Sequence, residues 1–86
     1  MTRRDKLLAA IRANPKAVRF EDACKVAERL GFTHSGGQGS HRVFGRLDEL
    51  NLLNFQNRGG TIPPYQARQL IRMMDKYGDQ NDEVSD

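Results

Sequence analysis

The chain is 86 residues long, 37% of them hydrophobic, with no Trp, a single Cys and a net charge of +3. That length supports one domain with a small core and no deep cavity, so any substrate is expected on a surface or in a shallow groove. The lone Cys24 excludes an intramolecular disulfide framework, and no apolar run has the length of a membrane span or a signal segment; a cytoplasmic protein is expected.

Residues 3–13 read as a short peripheral helix in which Leu7, Leu8 and Ile11 share a face. Asn14-Pro15 ends it, because the residue before a proline is pushed out of the α region. A second helix is expected from about Phe20 to Leu30. There Phe20, Ala23, Cys24, Ala27 and Leu30 make an apolar stripe, Glu21 and Asp22 suit the positive end of the helix dipole, and Gly31 suits the position after the last turn. Cys24, lying on that stripe, is expected to be a small buried hydrophobe.

Phe32-Thr33-His34-Ser35 begins a strand that runs into Gly36-Gly37-Gln38-Gly39-Ser40, and Arg42-Val43-Phe44-Gly45-Arg46 is the return strand. Period-two alternation puts Arg42, Phe44 and Arg46 on one face and His41 on the other. Asp48-Glu49 is expected to turn the chain into a third strand, Leu52–Gln56, with Leu53 and Phe55 facing one way and Asn54 and Gln56 the other. The sheet is expected to be a basic one along which an RNA backbone could pass.

Asn57-Arg58-Gly59-Gly60 is a loop. Thr61 and Pro63-Pro64 then open a closing helix whose stripe is Ala67, Leu70, Ile71, Met74 and Tyr77, and which Gly78 stops. Tyr65 is expected to pack the start of this helix against the sheet, the alternative being to stack on a base. Residues 79–86 hold four of the eleven acidic side chains and no Lys or Arg, and are expected to be a disordered acidic tail. The preceding 78 residues therefore carry +7, which points to a polyanionic partner, nucleic acid above all.

The fold expected is α+β: a two-layer sandwich with a three-stranded antiparallel sheet packed on two helices, in the order α-β-β-β-α, plus the short N-terminal helix. That order is the one found in double-stranded-RNA-binding domains.

The hexapeptide Gly39-Ser40-His41-Arg42-Val43-Phe44 resembles the G-S-H-x-x-F signature of the HicA (YcfA-like) toxins of bacterial toxin–antitoxin pairs. Leu30-Gly31-Phe32 before it and Ile62-Pro63-Pro64-Tyr65-Gln66-Ala67-Arg68 after it fit the same context, so the similarity spans about residues 17–78. It implies a small mRNA endonuclease with a fold like that of double-stranded-RNA-binding domains, and a HicB-like antitoxin as protein partner; a single domain is expected over residues 1–78, with chemistry that needs no metal or cofactor. The family's functional histidine falls on His41. Many short members carry V-P-x-H near the third strand, where this chain has Leu53-Asn54-Phe55-Gln56, and the helix at 3–13 is an addition.

The chemistry that suits such residues is attack of a ribose 2′-OH on its own phosphate. That reaction needs a base for the 2′-OH, positive charge near the phosphorane, and an acid for the leaving 5′-oxygen. His41 can serve as the acid or the base. The amides around Gly37, Gly39 and Ser40 are candidates to hold the phosphate, and Arg42, Arg46, Arg58, Arg68 and Arg72 to neutralise the backbone. Cys24, His34 and His41 have no metal-ligand spacing. The sequence names no second proton-transfer group. Two other classes of function fit the charge and element order: a non-catalytic double-stranded-RNA-binding module and a basic protein–protein adaptor.

Overall fold

Burial of one stripe per helix and one face per strand accounts for the architecture. The computed structural model describes residues 3–78, with side chains from Lys6 onward; the acidic tail expected at 79–86 lies outside the described residues. Helix α1 (Arg3–Ala13) is followed by a single 3-10 turn, Pro15–Ala17, and then by α2 (Phe20–Arg29). Strands β1 (Thr33–Gly36), β2 (His41–Arg46) and β3 (Glu49–Gln56) form an antiparallel sheet in the order β1-β2-β3, with β2 in the centre. Helix α3 (Pro64–Met73) closes the fold and ends in a wider π-helical turn, Met74–Gly78. The protein is thus an α+β fold with helices on one side of a three-stranded antiparallel sheet. No described helix is long and apolar enough to cross a membrane.

The core lies between the sheet and α2 and α3. Phe44, Leu53 and Phe55 enter it from the strands, Ala23, Val26 and Ala27 from α2 with Leu30 at its C-cap, and Ala67 and Leu70 from α3 with Met74 in the π-helical turn, all buried. Phe44 and Phe55 pack at 5.8 Å between ring centroids, and Phe32 meets Tyr77 edge-on at 5.9 Å. With no Trp to fill volume, these aromatic contacts carry much of the packing. Cys24 is buried in the stripe as expected, and burial raises its thiol pKa, which keeps it protonated. Ile11 anchors α1 to this core, with Leu7 and Leu8 half-buried beside it.

Three local expectations are corrected. The turn after β2 is Leu47-Asp48, and Glu49 belongs to β3, where it is paired with Arg46 and buried. The N-cap position of α3 is Pro63, without a side-chain cap, rather than Thr61, which instead closes a tight turn with Arg58 through N–H···O bonds of 2.8 and 3.3 Å. Tyr65 does not pack against the sheet: it is 56% exposed, and the neighbouring Gln66 takes the inward position.

Glu49 explains why a carboxylate sits under the C-terminal turn. Its Oε1 accepts hydrogen bonds from Lys76 Nζ at 2.7 Å and Tyr77 Oη at 2.5 Å, while Oε2 accepts from the Asn51 N–H at 3.0 Å. Those donors, Lys76 first, lower its pKa from 4.5 to about 2. Arg46 completes the cluster by stacking 4.0 Å over the Tyr77 ring, pairing with Asp48 at 2.8 Å, and donating to the Leu30 carbonyl at the end of α2. Gly31, at φ +92°, leaves room for that guanidinium, which a Cβ there would meet at 2.1 Å.

A carboxylate held ionised by the fold favours the folded state above its unfolded pKa, and that contribution is lost as pH falls through the folded pKa. Acid titration followed by circular dichroism is therefore expected to show stability falling between pH 4.5 and about 2. Glu49→Gln should be less stable at neutral pH and flatter across that window.

Candidate active site

The glycine-rich hairpin delivers His41 to the first position of β2. Gly37, at φ +90°, lies so close to the returning chain that a Cβ would sit 2.3 Å from the His41 carbonyl oxygen, so only glycine fits. The His41 N–H donates to the Gln38 carbonyl at 3.1 Å, and the Ser40 carbonyl accepts from the Asn57 N–H at 2.7 Å. The backbone of His41 is thereby fixed, while its imidazole is exposed and has no partner among the described residues. Gly39 faces open space, and the amides of Gly39 and Ser40 donate to no backbone group among the described residues.

His41 stands opposite Gln56 in the β2–β3 register, on the sheet face turned away from the helices. A groove of about 360 Å³ opens beside it, lined by His41, Asn54, Gln56, Tyr65, Gln66 and Gln69. A second groove of about 270 Å³ shares Asn54 and Gln69 and continues along β3 to Arg72. The floor is the outer edge of β3 and the far wall is α3.

One buried side chain ties wall to floor. Gln66, 3% exposed, accepts a hydrogen bond from the Gln56 N–H at 2.8 Å, closing an edge position that would otherwise lack a partner. Its Nε2 donates to the Tyr65 hydroxyl oxygen at 3.2 Å. On the outer side, Arg58 donates from Nε and Nη2 to Gln56 Oε1 at 3.2 and 3.0 Å, which brings a guanidinium to the cross-strand partner of His41. The loop that carries Arg58 is held to the chain before α2 by Phe20 N–H to Gly60 O and Ile62 N–H to Val18 O, both at 2.9 Å.

The structure separates the arginines considered as one track. Arg42 lies 5.4 Å over the Phe20 ring, on the helix side of the sheet and opposite His41. Arg46 is on that side as well, committed to Tyr77, Asp48 and Leu30. Arg58 is bonded to Gln56, the cross-strand partner of His41, and exposed Arg68 and Arg72 project from α3, where Arg72 lines the second groove. The open sheet face, formed by Thr33, Ser35, His41, Val43, Gly45, Leu52, Asn54 and Gln56, carries no Lys or Arg. The expectation of a basic sheet is corrected for the open face: Arg42 and Arg46 of β2 lie on the helix side, and of the remaining arginines Arg72 lines a groove and Arg58 is bonded to Gln56. His34 lies on the helix side, 5.7 Å from the Phe44 ring, away from the site. Among the described residues no three His, Cys, Asp or Glu side chains gather as a metal site.

Asn54, Gln56, Gln66 and Gln69 were not singled out as site residues in the sequence. Strand parity does put Asn54 and Gln56 on the His41 side, and a glutamine beside Ala67 on the inward stripe signals a buried amide in need of partners. No protein-family model, curated protein or solved structure matches this chain.

Gln66→Leu strands the Gln56 N–H and is expected to destabilise the fold by about 1–3 kcal/mol in denaturant unfolding. His41→Ala, which removes only an exposed side chain, should leave the unfolding midpoint nearly unchanged. Gly37→Ala, forced against the His41 carbonyl, should destabilise more than Gly39→Ala, whose backbone is left-handed but whose surroundings are open.

Proposed function

We propose that this protein is a HicA-like toxin: an endoribonuclease that cleaves mRNA in the cytoplasm with His41 as its proton-transfer residue, and that a HicB-like antitoxin holds in check. The observation that carries this reading is an imidazole with no partner among the described residues, opening onto a groove whose Gln56 holds the Arg58 guanidinium. An exposed imidazole at the lip of a groove is available to a ligand.

The groove is shallow and open, as a polymer substrate requires. Arg58 is positioned to neutralise a phosphate near His41, Arg72 to hold the backbone further along, and Arg68 to add charge on the same helix. The Gly39 and Ser40 amides offer further donors at the hairpin tip. His41 takes the proton from the 2′-OH as that oxygen attacks phosphorus. The resemblance of Gly39–Phe44 to the HicA signature agrees with this arrangement and supplies the substrate class.

Expressing the wild type and His41→Ala in a bacterium without the partner tests the proposal. Growth arrest with loss of mRNA is expected for the wild type alone; equal behaviour of the two would overturn the catalytic role. RNA binding at rising salt separates the arginines. Arg58→Ala should weaken binding and reduce its salt slope by about one counterion without changing thermal stability. Arg46→Ala should lower thermal stability and leave RNA affinity as it was.

A further inference from the structure

His41 alone leaves the reaction one proton short. We propose that Tyr65 is the second proton-transfer group, the acid that protonates the departing 5′-oxygen. This assignment rests on the ribonuclease reading and names a catalytic residue that the hexapeptide signature does not contain.

The first argument is elimination within the groove. Of its six lining residues, His41, Asn54, Gln56, Tyr65, Gln66 and Gln69, only the histidine and the tyrosine carry a proton that can be exchanged. The guanidinium of Arg58 stabilises charge but does not give up a proton.

The second argument is how the hydroxyl is held. Gln66 is buried, and its Oε1 is taken by the Gln56 N–H, so its Nε2 has to face Tyr65. The Tyr65 oxygen therefore accepts, and its own proton finds no acceptor among the described residues. That proton is left to point into the groove.

The third argument is exposure. A tyrosine 56% exposed on the first turn of a rigid helix contributes little to the core, yet it occupies the wall facing His41. The structure gives it no packing role that explains its place.

The step balances as follows. The 2′-oxygen forms a bond to phosphorus and its proton passes to His41. The P–O5′ bond breaks, its electron pair stays on O5′, and the Tyr65 proton neutralises that oxygen. The products are a 2′,3′-cyclic phosphate and a 5′-hydroxyl, and solvent carries the proton from the imidazolium back to the phenolate. A phenol is a competent acid here because an alkoxide is a far stronger base than a phenolate.

The test compares two linkages in an RNA whose cleavage position by the wild-type protein has been mapped. One keeps the natural 5′-oxygen. The other carries sulfur at that bridging position, which leaves as a thiolate and needs no acid. Tyr65→Phe keeps the ring, and hence any stacking on a base. It is expected to slow cleavage of the oxygen linkage by about 10²–10⁴-fold and to cleave the sulfur linkage at close to the wild-type rate. His41→Ala should be slow on both. Equal slowing of both linkages by Tyr65→Phe would make the residue a positioning element, and no slowing of either would remove it from the reaction; both results overturn the assignment. Wild-type protein that is folded, binds RNA and gives no cleavage to map would instead bring down the ribonuclease reading, and the role of Tyr65 with it.

Discussion

A strand can bury only one of its two faces when helices cover a sheet from one side, and that constraint sorts every side chain of this fold. Phe44, Leu53 and Phe55 fix the inward face. Everything in phase with them goes to the helices, including Arg42 and Arg46, whatever their charge. Everything out of phase, including His41, Asn54 and Gln56, is left on the open side. The candidate site is therefore a consequence of core packing. A one-residue slip of β2 would trade His41 for Arg42 and put Val43 or Gly45 where Phe44 is buried.

Placement of the groove depends on a second feature, the closure of the β3 edge. An edge strand offers unpaired N–H groups, and here Gln66 supplies an acceptor to one of them from within α3. The bond holds helix and strand at the separation that leaves a groove, and it fixes the orientation of the Gln66 amide. The side chain that completes the fold at this edge thus also presents the Tyr65 hydroxyl. Structural satisfaction and the chemistry proposed for the site share one amide.

Charge divides along the same line. At the C-terminal end, Arg46 and Lys76 are engaged with Asp48, Glu49 and Tyr77, tying the last turn to the β2–β3 hairpin. Among the described residues Arg58 binds only a neutral amide, that of Gln56 in the groove, and Arg68 and Arg72 have no partner. Net positive charge alone did not distinguish these groups. The cations available to the polyanion proposed as partner are those left over after the fold has used the others.

By itself the sequence determined the element order, the antiparallel sheet with its central strand, the buried Cys24 and the opposition of His41 to Arg42, because helical and strand periodicities are local properties of the chain. It also isolated His41 through the Gly39–Phe44 hexapeptide, and it placed Glu49 in a turn and Tyr65 against the sheet on local rules alone. Only the tertiary structure decided that Glu49 is a buried acceptor for Lys76 and Tyr77, that Arg46 caps α2, and that Tyr65 and Gln66 stand across a groove from His41. Each of these joins residues from different elements, up to 28 positions apart in the chain. Which partner a polar side chain finds is set by how layers dock, and docking is a property of packed volumes that no local pattern encodes.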